Sequence, residues 1–172
     1  VYESPSISSG PVIICMHDDY GHGKGMFMSP EVWRELIKPH LQRIIDMVAS
    51  YGVIYEHHCC GYFAPILGEI ADMGCAATNL VHKSNHPAEL KKELGHKMCM
   101  IGAFDTQYLD APSTAEEEMR ASVRKTLDEM APGGSYITLC GLKTKGRNEI
   151  VTDEIRRYSG NFYACPRPDL AI

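Results

Sequence analysis

Five short apolar runs, each followed by a stretch with helical spacing, constrain this chain more than any other feature. The first run, Val12–Met16, ends in the polar cluster His17-Asp18-Asp19-Tyr20 and the glycine-rich loop Gly21–Gly25. Ser29-Pro30-Glu31 then reads as a helix start: a serine N-cap, a proline at the first helical position and an acid in the first turn. Val32, Leu36, Ile37, Leu41, Ile44, Ile45 and Val48 keep the 3.6-residue period of an amphipathic helix. Pro39 is expected to kink that helix and Gly52 to end it. The pattern repeats as strand Val53–Tyr55 and helix Phe63–Met73, then strand Cys75–Val81 and helix Pro87–Leu94. Strand Lys97–Phe104 leads to a helix from Ser113 to about Met130, and strand Ser135–Leu139 to a helix over Val151–Tyr158. Strict alternation of this kind calls for a parallel sheet, because a parallel neighbour is reached only through a crossover. A doubly wound open sheet and part of a (β/α)8 barrel both satisfy the pattern. No G-x-G-x-x-G fingerprint follows any strand, and the loop holding Gly21, Gly23 and Gly25 does not open straight into a helix.

Composition narrows the function classes. With 172 residues, 44% hydrophobic and 23% charged, the chain suits one globular domain or a large piece of one. A net charge of -5 without a basic run argues against nucleic acid as a partner. No stretch approaches the roughly 18 apolar residues of a membrane span. Val1–Pro11 has neither a charged nor an apolar signal-peptide region, and a start without Met is compatible with a cropped or processed N-terminus. Cys15, Cys59, Cys60, Cys75, Cys99, Cys140 and Cys165 are odd in number and scattered, mostly in apolar runs. That usage points to a reducing cytoplasm, with buried free thiols and a few left over for metal.

Residues capable of chemistry gather where the strand-like runs end: Asp18 and Asp19, His57 to Cys60, His82, Asp105 and Cys140. In parallel β/α folds that edge carries the active site. The sharpest cluster is Glu56-His57-His58-Cys59-Cys60-Gly61. Imidazole nitrogen and thiolate sulfur are zinc's preferred ligands. On an extended segment His58 and Cys60 share one side, and His57 and Cys59 share the other. Spacing does not say which pair faces the site, nor exclude that both merely pack. Cys140 is a candidate third ligand, which would leave the open fourth position of a catalytic zinc to water or Glu56. Asp105 is the candidate to orient the ligand imidazole. Asp18 and Asp19, being adjacent, point to opposite sides, so one caps the loop and the other faces the site. His22, His82 and His86 read as loop histidines, and Met26, Met28, Met98 and Met100 as core or pocket lining.

Several of these residues together resemble the uroporphyrinogen decarboxylase superfamily. They are Met26-Phe27-Met28-Ser29-Pro30-Glu31 with Pro39 later, the H-x-C-G pattern of His58-Cys59-Cys60-Gly61, Gly102-Ala103-Phe104-Asp105, Val123-Arg124, and Gly133-Gly134 before the last strand. The likeness runs from about Val12 to Tyr163. It implies that residues 1–172 are the C-terminal portion of a (β/α)8 barrel of TIM type, incomplete here at about five β/α units. The superfamily's decarboxylases act without metal or cofactor and typically end the last strand in His-Gly, where this chain has Cys140-Gly141. Its other branch moves methyl groups between methylated corrinoid proteins and thiols, with zinc held by an H-x-C pair and a later cysteine. His58, Cys60 and Cys140 match that set. The resemblance therefore implies one zinc ion, a corrinoid on a separate partner protein, and a small thiol as substrate. Asp18, Asp19 and Asp105 are the candidate catalytic acids. A tetrapyrrole decarboxylase and a non-catalytic half-barrel for binding or assembly are the alternatives. Five strands cannot close a barrel, so a second copy or a longer chain is expected to cover the exposed edges.

Overall fold

A computed structural model describes residues 10–162. Cys165, the C-terminal end of the family resemblance at Tyr163 and most of the Val1–Pro11 reading fall outside them. The elements are β1 (Ile13–His17), β2 (Gly21–His22), β3 (Gly25–Met26), α1 (Pro30–Leu36), α2 (Lys38–Ser50), β4 (Ile54–His58) and α3 (Ala64–Asp72). They continue with β5 (Ala77–Val81), a 3-10 turn at Lys83–Asn85, α4 (Pro87–Leu94), β6 (Cys99–Gly102), α5 (Thr106–Asp110), α6 (Glu116–Met130), β7 (Tyr136–Ile137) and α7 (Lys145–Ser159).

The main sheet has five strands in the order β1-β4-β5-β6-β7, every neighbouring pair parallel. The order runs one way across the sheet without reversal. A doubly wound sheet would reverse at a switch point and place helices on both faces. Crossovers of one hand that always step in the same direction instead leave all helices on one side. Burial agrees. The cross-sheet row Met16–His57–Thr78–Met100–Tyr136 faces the helices, and its last four members are buried. Across the sheet, Ile13, Ile54, Ile137 and Leu139 are exposed. The chain is thus α/β, an incomplete barrel with its helical wall in place and its inner face open.

Local chemistry explains the elements. Ser29 caps α1 through its Oγ, which accepts the Val32 amide at 3.3 Å. The single kinked helix expected around Pro39 is two helices meeting at Ile37, because Pro39 has no amide for an i−4 bond and sits instead in the first turn of α2. The glycine-rich loop is a two-stranded antiparallel hairpin, β2–β3. The later strands are shorter than their apolar runs, β6 stopping at Gly102 (φ 101) and β7 keeping only Tyr136–Ile137, whereas β4 runs on beyond Tyr55 to His58. The short α5 was not expected; Asp105 caps it by accepting the Tyr108 amide at 3.1 Å. At the far edge Glu154, buried between α6 and α7, accepts Arg120 and Arg124, each at 2.9 Å.

Candidate metal centre

β4 runs on as strand through His58, so its last residues inherit the strict alternation of the sheet. Tyr55, His57 and Cys59 point into the helical layer and are buried. His58 is half-buried and Cys60 exposed, on the opposite face. Strand parity thus puts His58 and Cys60 on the inner face at the C-terminal edge, and His57 and Cys59 under the helices.

His58 is held on both sides. Its Nδ1 lies 3.0 Å from Asn79 Oδ1, and its ring stacks on His17 at 4.2 Å between centroids. Both contacts follow from register, since His17 and Asn79 flank His58 in the neighbouring strands. With Nδ1 bonded to Asn79, Nε2 is directed at Cys60 Sγ, 3.3 Å away. A ring nitrogen anchored by an amide oxygen, with the other nitrogen facing a thiol, is how a ligand histidine is presented. Asn79 also donates from Nδ2 to Glu56 Oε1, so Glu56 is tied back along the strand.

The chain leaving β1 completes the grouping. The Asp18 amide donates to the His58 carbonyl at 3.1 Å. Asp19 follows, and one of its carboxylate oxygens accepts the Cys60 amide at 2.6 Å. Ligand atoms of Asp19, His58 and Cys60 lie within 4.8 Å of one another. Burial and the neighbouring Asp19 carboxylate push the Cys60 thiol above its ordinary value. Asp18 takes the other direction, where its charge helps to raise the phenols of Tyr20 and Tyr55, both raised chiefly by burial.

Glycines allow these segments to meet. Gly61 has φ 77, and a Cβ there would lie 2.6 Å from His22 Cα. A Cβ on Gly21 would lie 2.0 Å from the Tyr62 carbonyl oxygen. The hairpin therefore packs directly on the turn after Cys60, joined by the Tyr62 amide donating to the His22 carbonyl at 2.9 Å. Below that turn, buried Asn85 accepts the Phe63 and Ala64 amides at 2.8 and 2.9 Å and donates to the Gly61 carbonyl at 2.7 Å.

Other expected site residues lie elsewhere. Cys140 is outside the grouping. β7 ends at Ile137, and beyond it Cys140 packs partly buried against the core. Burial, then the Asp110 charge, push its thiol up to about 11. Asp105 does not orient His58: it caps α5 and pairs with Lys83 at 2.5 Å, while Asn79 holds the imidazole. Asn79 and Asn85 were missed. The available signal was a polar residue inside or beside an apolar run, which must find a partner when buried. Beside Cys60 lies an apolar cavity of about 220 Å³, lined by Leu80, Val81, Phe104 and Leu139 among others.

A parallel sheet of this order with an H-x-C-G edge defines a class, and the comparison with known families agrees: the chain belongs to the uroporphyrinogen decarboxylase (URO-D) family, whose model matches residues 2–146. Within it, the chain is similar to the methylcobamide:CoM methyltransferase MtaA of Methanosarcina barkeri, at 25% identity over 135 residues, 77% of this chain and 38% of that protein. The protein of the same name from Methanosarcina barkeri strain Fusaro / DSM 804 matches with the same identity and coverage. A solved methyltransferase from Methanosarcina mazei superposes with a TM-score of 0.67 at 19% identity, over 87% of this chain and 43% of that one. The chain spans about two fifths of the length of these relatives.

Proposed function

We propose that this chain is the later, zinc-binding half of a barrel methyltransferase that moves a methyl group between a methylated corrinoid protein and a thiol. One observation carries the reading: His58 and Cys60 stand side by side on the inner face, with the imidazole already anchored by Asn79. The similarity to methylcobamide:CoM methyltransferases supports the substrate classes. The donors suit zinc, which prefers imidazole and thiolate. A bound zinc ion supplies the positive charge that keeps a substrate thiol deprotonated at neutral pH.

The chain's own residues do the rest. His58 and Cys60 hold the ion, with Cys140 as the third ligand that the family pattern implies. Joining them requires the segment after β7 to turn the Cys140 thiol toward the inner face. The apolar cavity beside Cys60 takes the body of the thiol and keeps water from it. Asp19 stands at the donors and Asp105 follows the cavity-lining Phe104 in sequence, and both are assigned to positioning substrate; Asp18 supports them from behind. The exposed Ile13, Ile54, Ile137 and Leu139 are covered by the rest of a longer chain or by a second copy.

Elemental analysis after zinc loading and desalting tests the reading, with about one zinc per chain expected. Visible spectroscopy of methylcobalamin with a thiol and the zinc-loaded protein is the companion assay. The cobalt–methyl spectrum should decay faster than without protein. No retained metal together with decarboxylation of a tetrapyrrole would instead assign the chain to the family's other chemistry.

A further inference from the structure

The inner face carries a carboxylate that the metal reading leaves without a role. Glu56 lies two residues before His58 on β4, so both side chains share that face. It is half-buried and stands outside the grouping of Asp19, His58 and Cys60. Asn79 links Glu56 to His58. Register sets it opposite His58 and diagonal to Glu56, whose own neighbours are Cys15 and Ala77. One amide therefore spans both side chains: Nδ2 donates to Glu56 Oε1, and Oδ1 faces His58 Nδ1 at 3.0 Å. The Cys15 thiol, pushed up to about 11 by its partial burial and then by Glu56, is a second donor to that carboxylate.

The direction of this hydrogen-bond chain follows from its acidic end. A carboxylate only accepts, whereas an amide donates at one end and accepts at the other. Glu56 therefore meets only the Nδ2 end of Asn79, since the opposite orientation would set an amide oxygen against the carboxylate. Oδ1 is the end left for His58. It too only accepts, so the proton of the neutral ring sits on Nδ1. Nε2 keeps its lone pair, and it is Nε2 that stands 3.3 Å from Cys60 Sγ. Asn79 alone does not decide this, because a free amide serves either tautomer. We propose that Glu56 is a positioning residue: through Asn79 it fixes His58 as the Nδ1–H tautomer and so presents the Nε2 lone pair to the inner face. The proposal rests on the reading of this edge as a zinc site, leaves the ligands as they are, and adds the residue that decides which nitrogen is free to bind. Glu56, a candidate for the fourth position by sequence, acts instead from behind the ligand.

Long-range proton–nitrogen correlation spectra of the isotope-labelled, zinc-free chain read the tautomer, and competition with a chromophoric chelator reads zinc affinity. Spectra are taken well above the ordinary imidazole pKa of about 6.5, and the His58 signals are assigned by their loss in His58→Gln. Wild-type His58 should be Nδ1–H. Glu56→Met removes the acceptor but keeps an unbranched side chain; it should shift the ring toward Nε2–H and weaken zinc binding by about tenfold. Glu56→Gln combined with Asn79→Asp exchanges the two groups. The carboxylate then accepts from His58 directly and the amide behind it donates, so the Nδ1–H ring and most of the affinity should return. Circular dichroism establishes that each variant is folded. An Nε2–H ring in the wild type, an Nδ1–H ring in Glu56→Met, or no recovery of Nδ1–H in the double variant overturns the proposal while leaving the zinc site standing. A wild-type chain with an Nδ1–H ring that retains no zinc overturns the zinc reading alone.

Discussion

The end of β4 and the two residues after it carry two His-x-Cys pairs of identical composition and spacing, one residue out of step, and the fold sends them into opposite surroundings. His57 and Cys59 lie under the helices. His57 stacks on Tyr20 at 5.1 Å between centroids and places Nδ1 3.2 Å from the Tyr55 hydroxyl. Burial lowers the pKa of that ring to about 4 and pushes the Cys59 thiol up to about 12. Neither is reactive there: the ring stays neutral as a packing group, and the thiol stays protonated, with Cys59 Sγ accepting the Tyr20 amide at 3.3 Å. His58 and Cys60 keep access to the inner face and face each other and Asp19. Identical side chains thus become core or candidate ligands according to strand parity alone.

The largest effect should come from the turn on which the exposed pair depends. Gly61→Ala places a Cβ in a left-handed backbone against the β2–β3 hairpin. The backbone cost alone is about 1–2 kcal/mol, and the clash must displace the hairpin and Cys60. Thermal denaturation should show a clear loss of stability, together with loss of zinc binding. Unchanged zinc affinity in that variant would mean that the hairpin does not position the thiol.

Asn79→Ala is next. It frees the His58 ring without touching a donor, so zinc affinity should fall by roughly 10–100-fold with little change in fold, as supporting partners of ligands usually cost. Isothermal titration with zinc checks this, and an unaltered affinity would remove Asn79 from the site.

The smallest effect on the metal site belongs to the buried pair, which acts on acid stability instead. Above about pH 6.5 the His57 ring is neutral in both folded and unfolded chains, and its protonation costs nothing. Below that, the unfolded chain takes up a proton that the folded one refuses until about pH 4, so acid weakens the fold. The slope from this ring approaches 1.4 kcal/mol per pH unit between those values. His57→Gln should flatten urea-denaturation stability over that acid range without changing zinc stoichiometry. An equally steep acid limb in the variant would show that burial of His57 does not govern it.

Much of this was legible in advance, and the gaps have physical causes. The order of β/α units follows from periodicity because each amphipathic stretch must bury one face. The barrel-like sheet order and the parity of β4 do not, since both depend on which strands pair. The first pairs of chemistry-bearing residues, Asp18-Asp19 and His57 to Cys60, were identifiable as strand-end clusters; that β1 and β4 are neighbours, and so bring Asp19 onto Cys60, was not. Asn79 was hidden inside an apolar run, and its role appears only once it is opposite His58. Cys140 was legible as a strand-end thiol and again through the family's later cysteine, but not that β7 would end early and leave it partly buried beside the core.

The central claim is that the inner-face pair, not its buried twin, is the metal site. Zinc stoichiometry of Cys60→Ser and Cys59→Ser, measured by elemental analysis after identical loading and desalting, tests it most directly. Bound zinc should fall sharply in Cys60→Ser and stay near one per chain in Cys59→Ser. Retention in Cys60→Ser with loss in Cys59→Ser, in folded proteins, would contradict the account and make His57 and Cys59 the functional pair.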